Sequence, residues 1–121
     1  MKFKFFIGGY FGGHFEVQLK EDQLLFFVDN RSFLNMPPNY IVSTKDNGDW
    51  NRLIAFIESL DWKQKYFNNE ILDGTQWELT FKSDKKRLSC FGSNEYPDNF
   101  DSFINLLKKI TVKHKIPIDN L

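Results

Sequence analysis

The sequence predicts an α+β domain, with an antiparallel β-sheet built from hairpins and two amphipathic helices packed on one face. Two observations lead to this prediction. Several segments alternate apolar and polar residues, as half-buried strands do, and two segments space their apolar residues three and four apart, as surface helices do. The order along the chain is strands, helix, strands, helix, which is typical of the α+β class. The 121 residues suit one domain, 1–121, with one core.

The first strands are predicted from period-two patterns and from the turns between them. Strict alternation places Phe15, Val17 and Leu19 on one face of a strand. The polar pair Glu21 and Asp22 separates that strand from the next apolar run, which favours a hairpin. The predicted strands in this part of the chain are 2–7, 15–20, 23–28 and 40–43.

A helix is predicted between residues 45 and 60, because its apolar residues recur at helical spacing. Asn47 and Asp49 lie near its start, where side-chain oxygens can cap free N–H groups and acidic residues suit the positive helix end. The segment 61–69 is rich in aromatic residues and shows no clear period, so it is expected to be an irregular connection.

A second hairpin follows. Trp77, Leu79 and Phe81 alternate with polar residues, which predicts a strand with these three side chains on its buried face. A polar turn at 83–86 then leads into a returning strand at 87–91.

The second helix is predicted to begin near Pro97, since proline suits the first turn of a helix. Its apolar stripe contains Phe100, Phe103 and Leu107. The tail 111–121 alternates only weakly and contains a proline, so no element is assigned to it.

Charge and composition argue against several classes of partner. Sixteen Lys and Arg residues balance sixteen Asp and Glu residues, so no overall electrostatic attraction draws the chain to nucleic acid or to an anionic membrane. No stretch approaches the ~20 apolar residues of a membrane span. The opening residues lack the long apolar run of a signal peptide, and a lone cysteine, Cys90, suits a reducing compartment. A cytoplasmic location is therefore expected.

The residues that carry chemistry are sparse. Two histidines and one cysteine are too few for an ordinary structural zinc site. The glycine-rich segment 8–13 lacks both the Lys-Ser/Thr pair and the Gly-x-Gly-x-x-Gly spacing of nucleotide loops. No nucleophile-elbow motif is present. We expect no metal, no cofactor and no enzymatic activity.

The most distinctive polar residues lie at the open end of the second hairpin. A turn centred between Asp84 and Lys85 places Trp77 opposite about residue 92, and Thr75 opposite about residue 94. Short polar and aromatic side chains should therefore converge there, above the second helix. These residues are Asp73, Thr75, Ser93, Asn94 and Tyr96.

Two interpretations of this convergence are open. In the favoured one, Asp73 and Asn94 satisfy backbone N–H groups within a tightly folded corner. In the other, the same side chains form a small polar pocket walled by Trp77 and Tyr96, which binds a small ligand.

Aromatic residues make up 17% of the chain, and those outside the predicted strands and helices are more numerous than loops ordinarily need. Several fall in predicted loops, and among them are Tyr10, Phe11, Trp62 and Tyr66. Some of these rings are expected to close the edges of the core. Others are candidates for a partner-binding patch, because aromatic residues dominate protein–protein hot spots.

The same residues carry a family resemblance. The pattern Asp-Gly-Thr-Gln-Trp-x-Leu at 73–79, followed by Gly-Ser-Asn-x-Tyr-Pro-x-x-Phe-x-x-Phe at 92–103, resembles a group of small bacterial proteins. The opening segment 5–12 and the region of Trp62 are similar to them as well. The resemblance covers nearly the whole chain and implies a stand-alone bacterial domain from accessory, defence or toxin-immunity genes. It implies no particular activity.

The leading hypothesis is a non-enzymatic, protein-binding domain of the bacterial cytoplasm. An immunity-type or inhibitor-type protein that contacts a toxin or nuclease fits this profile. The alternative hypothesis is a small-ligand module that uses the corner around Asp73, Asn94 and Tyr96.

Overall fold

The computed structural model of this chain describes residues 1–9, 13–29, 36–68 and 74–118. Within these ranges the chain forms seven strands and two helices. The strands are β1 (Lys2–Gly9), β2 (His14–Lys20), β3 (Gln23–Val28), β4 (Tyr40–Ser43), β5 (Lys65–Phe67), β6 (Thr75–Lys82) and β7 (Arg87–Ser93). The helices are α1 (Gly48–Glu58) and α2 (Phe100–Lys113).

The described strands form one sheet in the order β4-β3-β2-β1-β6-β7-β5. Every neighbouring pair is antiparallel except β5 and β7, which run parallel. The α+β class is confirmed, and the sheet is mixed and mostly antiparallel. Two of the antiparallel pairs are joined by short connections, residues 21–22 between β2 and β3 and residues 83–86 between β6 and β7. The pairing of β1 with β6 joins the two halves of the chain.

The strand β5 corrects the prediction that segment 61–69 is an irregular connection. It has three residues, and it lies at an edge of the sheet beside β7 rather than beside a strand close to it in sequence. A period-two pattern cannot be recognised over three residues, and a parallel partner gives no turn signal. The prediction therefore had no local basis for finding this strand.

Aromatic rings form several of the contacts between the sheet and the helices. Phe3 of β1 meets Trp50 of α1 with ring centroids 5.3 Å apart, and Phe5 meets Phe103 of α2 at 4.8 Å, both edge to face. The three alternating residues of β6 that the sequence places on a buried face are all fully buried in this core. Those residues are Trp77, Leu79 and Phe81.

Side chains form hydrogen bonds at or near both ends of α1. At its start, Trp50 N–H donates to the Oδ1 atom of Asn47 over 3.0 Å, so the expected capping oxygen is in place. Its last turn has no basic residue of its own. The Lys86 ammonium, from the turn between β6 and β7, donates to the carbonyl of Leu60 just beyond the helix. Lys86 of this turn therefore has a structural role.

The helix α2 extends into the tail that the sequence left unassigned. It ends at Lys113, so the first three tail residues are helical. The Ile116 side chain is buried in the core, and its N–H donates to the Thr111 carbonyl over 2.8 Å. The weak alternation in this tail reflects a helix end that packs on the core. Within the described residues, no helix is long and apolar enough to cross a membrane.

Candidate functional site

The residues that converge at the open end of β6 and β7 form a corner before α2, which we call the β7–α2 corner and define as residues 92–99. Trp77 pairs with Gly92, and the Asn94 N–H donates to the Thr75 carbonyl over 2.9 Å. This confirms the register predicted from the turn. Thr75, Ser93 and Asn94 are therefore neighbours, each partly buried.

The Asn94 backbone turns the chain sharply. Its φ of 59° lies in the left-handed region, where asparagine is among the few tolerated side chains. The Asn94 carboxamide lies directly over Gly74, because a Cβ atom added to Gly74 would be 1.4 Å from its Oδ1 atom. Both residues fit a closely packed turn.

The Trp77 side chain is fully buried and anchors the corner from within. Its indole Nε1 donates to the carbonyl of Glu95 over 2.9 Å. The indole ring packs directly against Gly92. A Cβ atom added at residue 92 would lie 2.1 Å from the Trp77 Nε1 atom and 2.6 Å from the Glu95 carbonyl oxygen. A glycine is needed at residue 92 for space. Trp77 thus has no surface with which to line an open pocket.

The Trp62 side chain is also buried, and it anchors the other end of the corner. Its Nε1 donates to the Oδ1 atom of Asn99, the residue that precedes α2. The Asn99 side chain makes no capping bond to the helix itself. The Trp62 ring lies 5.6 Å from that of Trp77 and 5.9 Å from that of Phe100. Two indole N–H groups therefore hold the whole turn onto the core.

Tyr66 of β5 closes the edge of this aromatic cluster. Its ring lies 5.9 Å from that of Trp77, and its hydroxyl accepts a hydrogen bond from the Lys63 N–H over 2.9 Å. The remaining predicted site residues, Asp73, Tyr10 and Phe11, lie outside the described residues.

Two aromatic side chains at the same place are exposed. Tyr96 is 40% exposed and rests its ring 4.8 Å from that of Phe100. Phe67 is 53% exposed and contacts Phe91 edge to face at 5.6 Å. Phe67 also pairs with Ser93, so β5 and the β7–α2 corner lie side by side. The sequence did not single out Phe67, because its exposure depends on an edge strand that leaves no pattern.

Cys90 is buried, and burial limits the reactivity of its thiol. Burial raises the pKa of its thiol to about 12, so the thiol is neutral at physiological pH. Among the described residues, no group of three or more His, Cys, Asp or Glu side chains is arranged to hold a metal ion. The corner offers hydrogen-bonded turns and aromatic surface.

A buried carboxylate lies on the opposite face of the sheet from Val17. Glu16 has no solvent exposure, although its strand neighbours across β1 and β3 are Phe6 and Phe27. Its Oε1 atom lies 4.0 Å from the Lys4 ammonium. This ion pair helps to offset the desolvation of the carboxylate, so Glu16 has a structural explanation.

A basic groove is lined by residues of both helices. Its lining includes Lys109, Val112 and Lys113 of α2 and Asp49 of α1. The Asp49 carboxylate accepts a 2.7 Å hydrogen bond from Arg52, and this bond lowers the pKa of the carboxyl. Lysines at this end of α2 are also favoured by the helix dipole, which explains their position.

Comparison with known proteins found no match to this chain among protein-family models, curated proteins or solved structures. The function is therefore argued from the geometry above.

Proposed function

We propose that this chain is a non-enzymatic protein-binding domain of the immunity or inhibitor type, which contacts a toxin or nuclease partner in the bacterial cytoplasm. The observation that carries the proposal is the exposure of Phe67 and Tyr96 beside a corner held by buried indoles. Aromatic residues on a rigid support are typical of interface hot spots, since they bury much apolar area and lose little conformational freedom.

The packing of the helices supports the same proposal. Contacts of Trp50 with Phe3 and of Phe103 with Phe5 involve residues two apart on β1, which point to the same side of the strand. We propose that both helices cover this one face of the sheet. The edge at β5, with Phe67 at its end, then remains outside the helical layer and accessible to a partner.

The small-ligand alternative has no comparable support. Trp77, its predicted wall, is fully buried. The carboxamide of Asn94 is packed over Gly74, and its backbone is bonded to Thr75. These contacts are those of a structural turn, so protein binding is the function that we put forward.

Partner capture from a lysate of the host cell tests the proposal. The double variant Phe67→Ala/Tyr96→Ala should lose at least about tenfold of the captured partner, because truncation of hot-spot aromatics typically costs 2 kcal/mol or more. The matched control is Met36→Ala/Val112→Ala, which removes two apolar side chains that are also exposed, at 55% and 72%. Equal capture by both double variants, or no capture by the native chain, would contradict the proposal.

A further inference from the structure

The outer edge of β5 presents backbone groups that are free to pair with another strand. On its inner side, the Asn68 N–H donates to the Ser93 carbonyl and the Gln64 carbonyl accepts an N–H of β7, each over 3.0 Å. Residues that bond to a neighbouring strand alternate, so the N–H and C=O groups of Lys65 and Phe67 point away from β7. Among the described residues, no strand pairs with this side and no hydrogen bond reaches those groups.

The opposite end of the strand order, at β4, is already partly occupied. The Thr44 N–H donates to the Asp22 carbonyl, so the peptide groups of Ser43 face away from β3. The Ser43 carbonyl accepts a 3.1 Å hydrogen bond from the side chain of Asn47, the residue that caps α1. Of these two ends, β5 is therefore the better template for strand addition.

The side chains along the β5 edge define the kind of strand that fits there. Lys65 and Phe67 lie opposite Phe91 and Ser93 of β7, so they share one face of β5, and both are exposed. That face carries a positive charge beside an apolar ring. Opposite charges and apolar pairs are the favourable cross-strand neighbours in a sheet. A complementary strand therefore has an acidic residue and an apolar residue two positions apart.

The positive charge at this edge is available to such a strand. Lys63 and Lys65 are both exposed, and lysines on an edge strand oppose unspecific strand pairing. Glu78 lies in the same row of the sheet as Lys65, but Phe91 separates them, and they form no ion pair within the part of the chain that the structure describes. Charge complementarity thus favours an acidic segment as the occupant.

We infer that the partner adds an extended segment to the outer edge of β5, with an acidic side chain opposite Lys65 and an apolar side chain opposite Phe67. Main-chain hydrogen bonds supply affinity in this mode of binding, and the two side chains supply specificity. The inference rests on the proposed function for the identity of the occupant. Because β5 has only three residues, the isolated segment should bind weakly, with a dissociation constant on the order of 1 mM.

A peptide titration of the full chain, followed by amide NMR, tests the edge without the partner. The probe is acetyl-Thr-Val-Thr-Glu-Thr-Val-Thr-amide, which places a valine two positions from the glutamate in either strand direction. The amide signals of Lys65 and Phe67 should shift most, because their N–H groups face the edge, and the Tyr66 signal should shift less, because its N–H faces β7. A probe with lysine in place of glutamate should bind about fivefold more weakly.

The variant Lys65→Glu separates charge recognition from folding, because residue 65 is exposed. It should reverse the preference and bind the lysine probe more tightly than the glutamate probe. An unchanged preference, or no shift of the Lys65 and Phe67 amides in the native chain at about 5 mM probe, overturns the inference. A change in these two signals with protein concentration, before any probe is added, also overturns it and makes a second copy of the chain the occupant.

Partner capture separates this inference from the proposed function. Lys65→Glu should reduce the captured partner by about fivefold, whereas the matched control Lys20→Glu, at an exposed lysine of β2, should not change it. Capture that Phe67→Ala/Tyr96→Ala loses and Lys65→Glu retains overturns the added strand and leaves the proposed function standing. Absence of capture by the native chain contradicts the proposed function alone, because the titration scores the β5 edge without the partner.

Discussion

Two pairs of aromatic residues lie at the β7–α2 corner, and they differ in burial and in hydrogen bonding. Trp62 and Trp77 are buried, and each donates an indole N–H to the turn. Tyr96 and Phe67 are 40% and 53% exposed, and each uses one side of its ring for packing. The comparison shows that the aromatic residues at this corner fall into two groups. The inward rings hold the corner, and the outward rings are exposed, as the proposed binding role requires.

Of the substitutions that test this comparison, Trp77→Ala should have the largest effect on the free energy of unfolding. It removes a fully buried ring and its hydrogen bond to Glu95, which should lower the free energy of unfolding by about 3–5 kcal/mol. Urea unfolding measures the loss. The thiol of Cys90, on the strand that carries the corner, should also react with a thiol reagent far faster than in the native chain, where burial protects it. A loss below about 1 kcal/mol would show that the corner does not depend on this ring.

A smaller effect is expected from Trp62→Phe. The phenyl ring keeps most of the packing against Phe100 and loses the N–H that Asn99 accepts, so the free energy of unfolding should fall by about 1–2 kcal/mol. Asn99→Ala is the matched control. In a double-mutant cycle the two losses should be clearly less than additive. Additive losses would mean that the two side chains act independently.

The smallest effect on stability is expected at the exposed pair. Phe67→Ala should change the free energy of unfolding by no more than about 1 kcal/mol, because about half of the ring is already in water. Chemical unfolding checks this value, with Phe91→Ala as a comparison on the ring that Phe67 contacts. A loss as large as that of Trp77→Ala would make Phe67 a core residue and remove the basis for a binding role.

Much of the candidate site could be predicted because its geometry depends on a short turn. Once the turn at 83–86 is located, the alternation of β6 determines which residues face the core and which oppose Gly92. Local patterns also predicted the Asn47 cap of α1. They failed for β5, which pairs with a strand more than twenty residues away in sequence.

The sequence by itself determined the α+β class, the buried face of β6 and the register at the corner, because alternation and turn residues act over a few neighbouring positions. Only the tertiary structure decided that Trp62 is buried while Phe67 is exposed, and that β4 and β5 lie at the two ends of the order of described strands. Those outcomes depend on which distant segments pack together. Burial is a property of the whole fold, and no single segment carries enough information to set it.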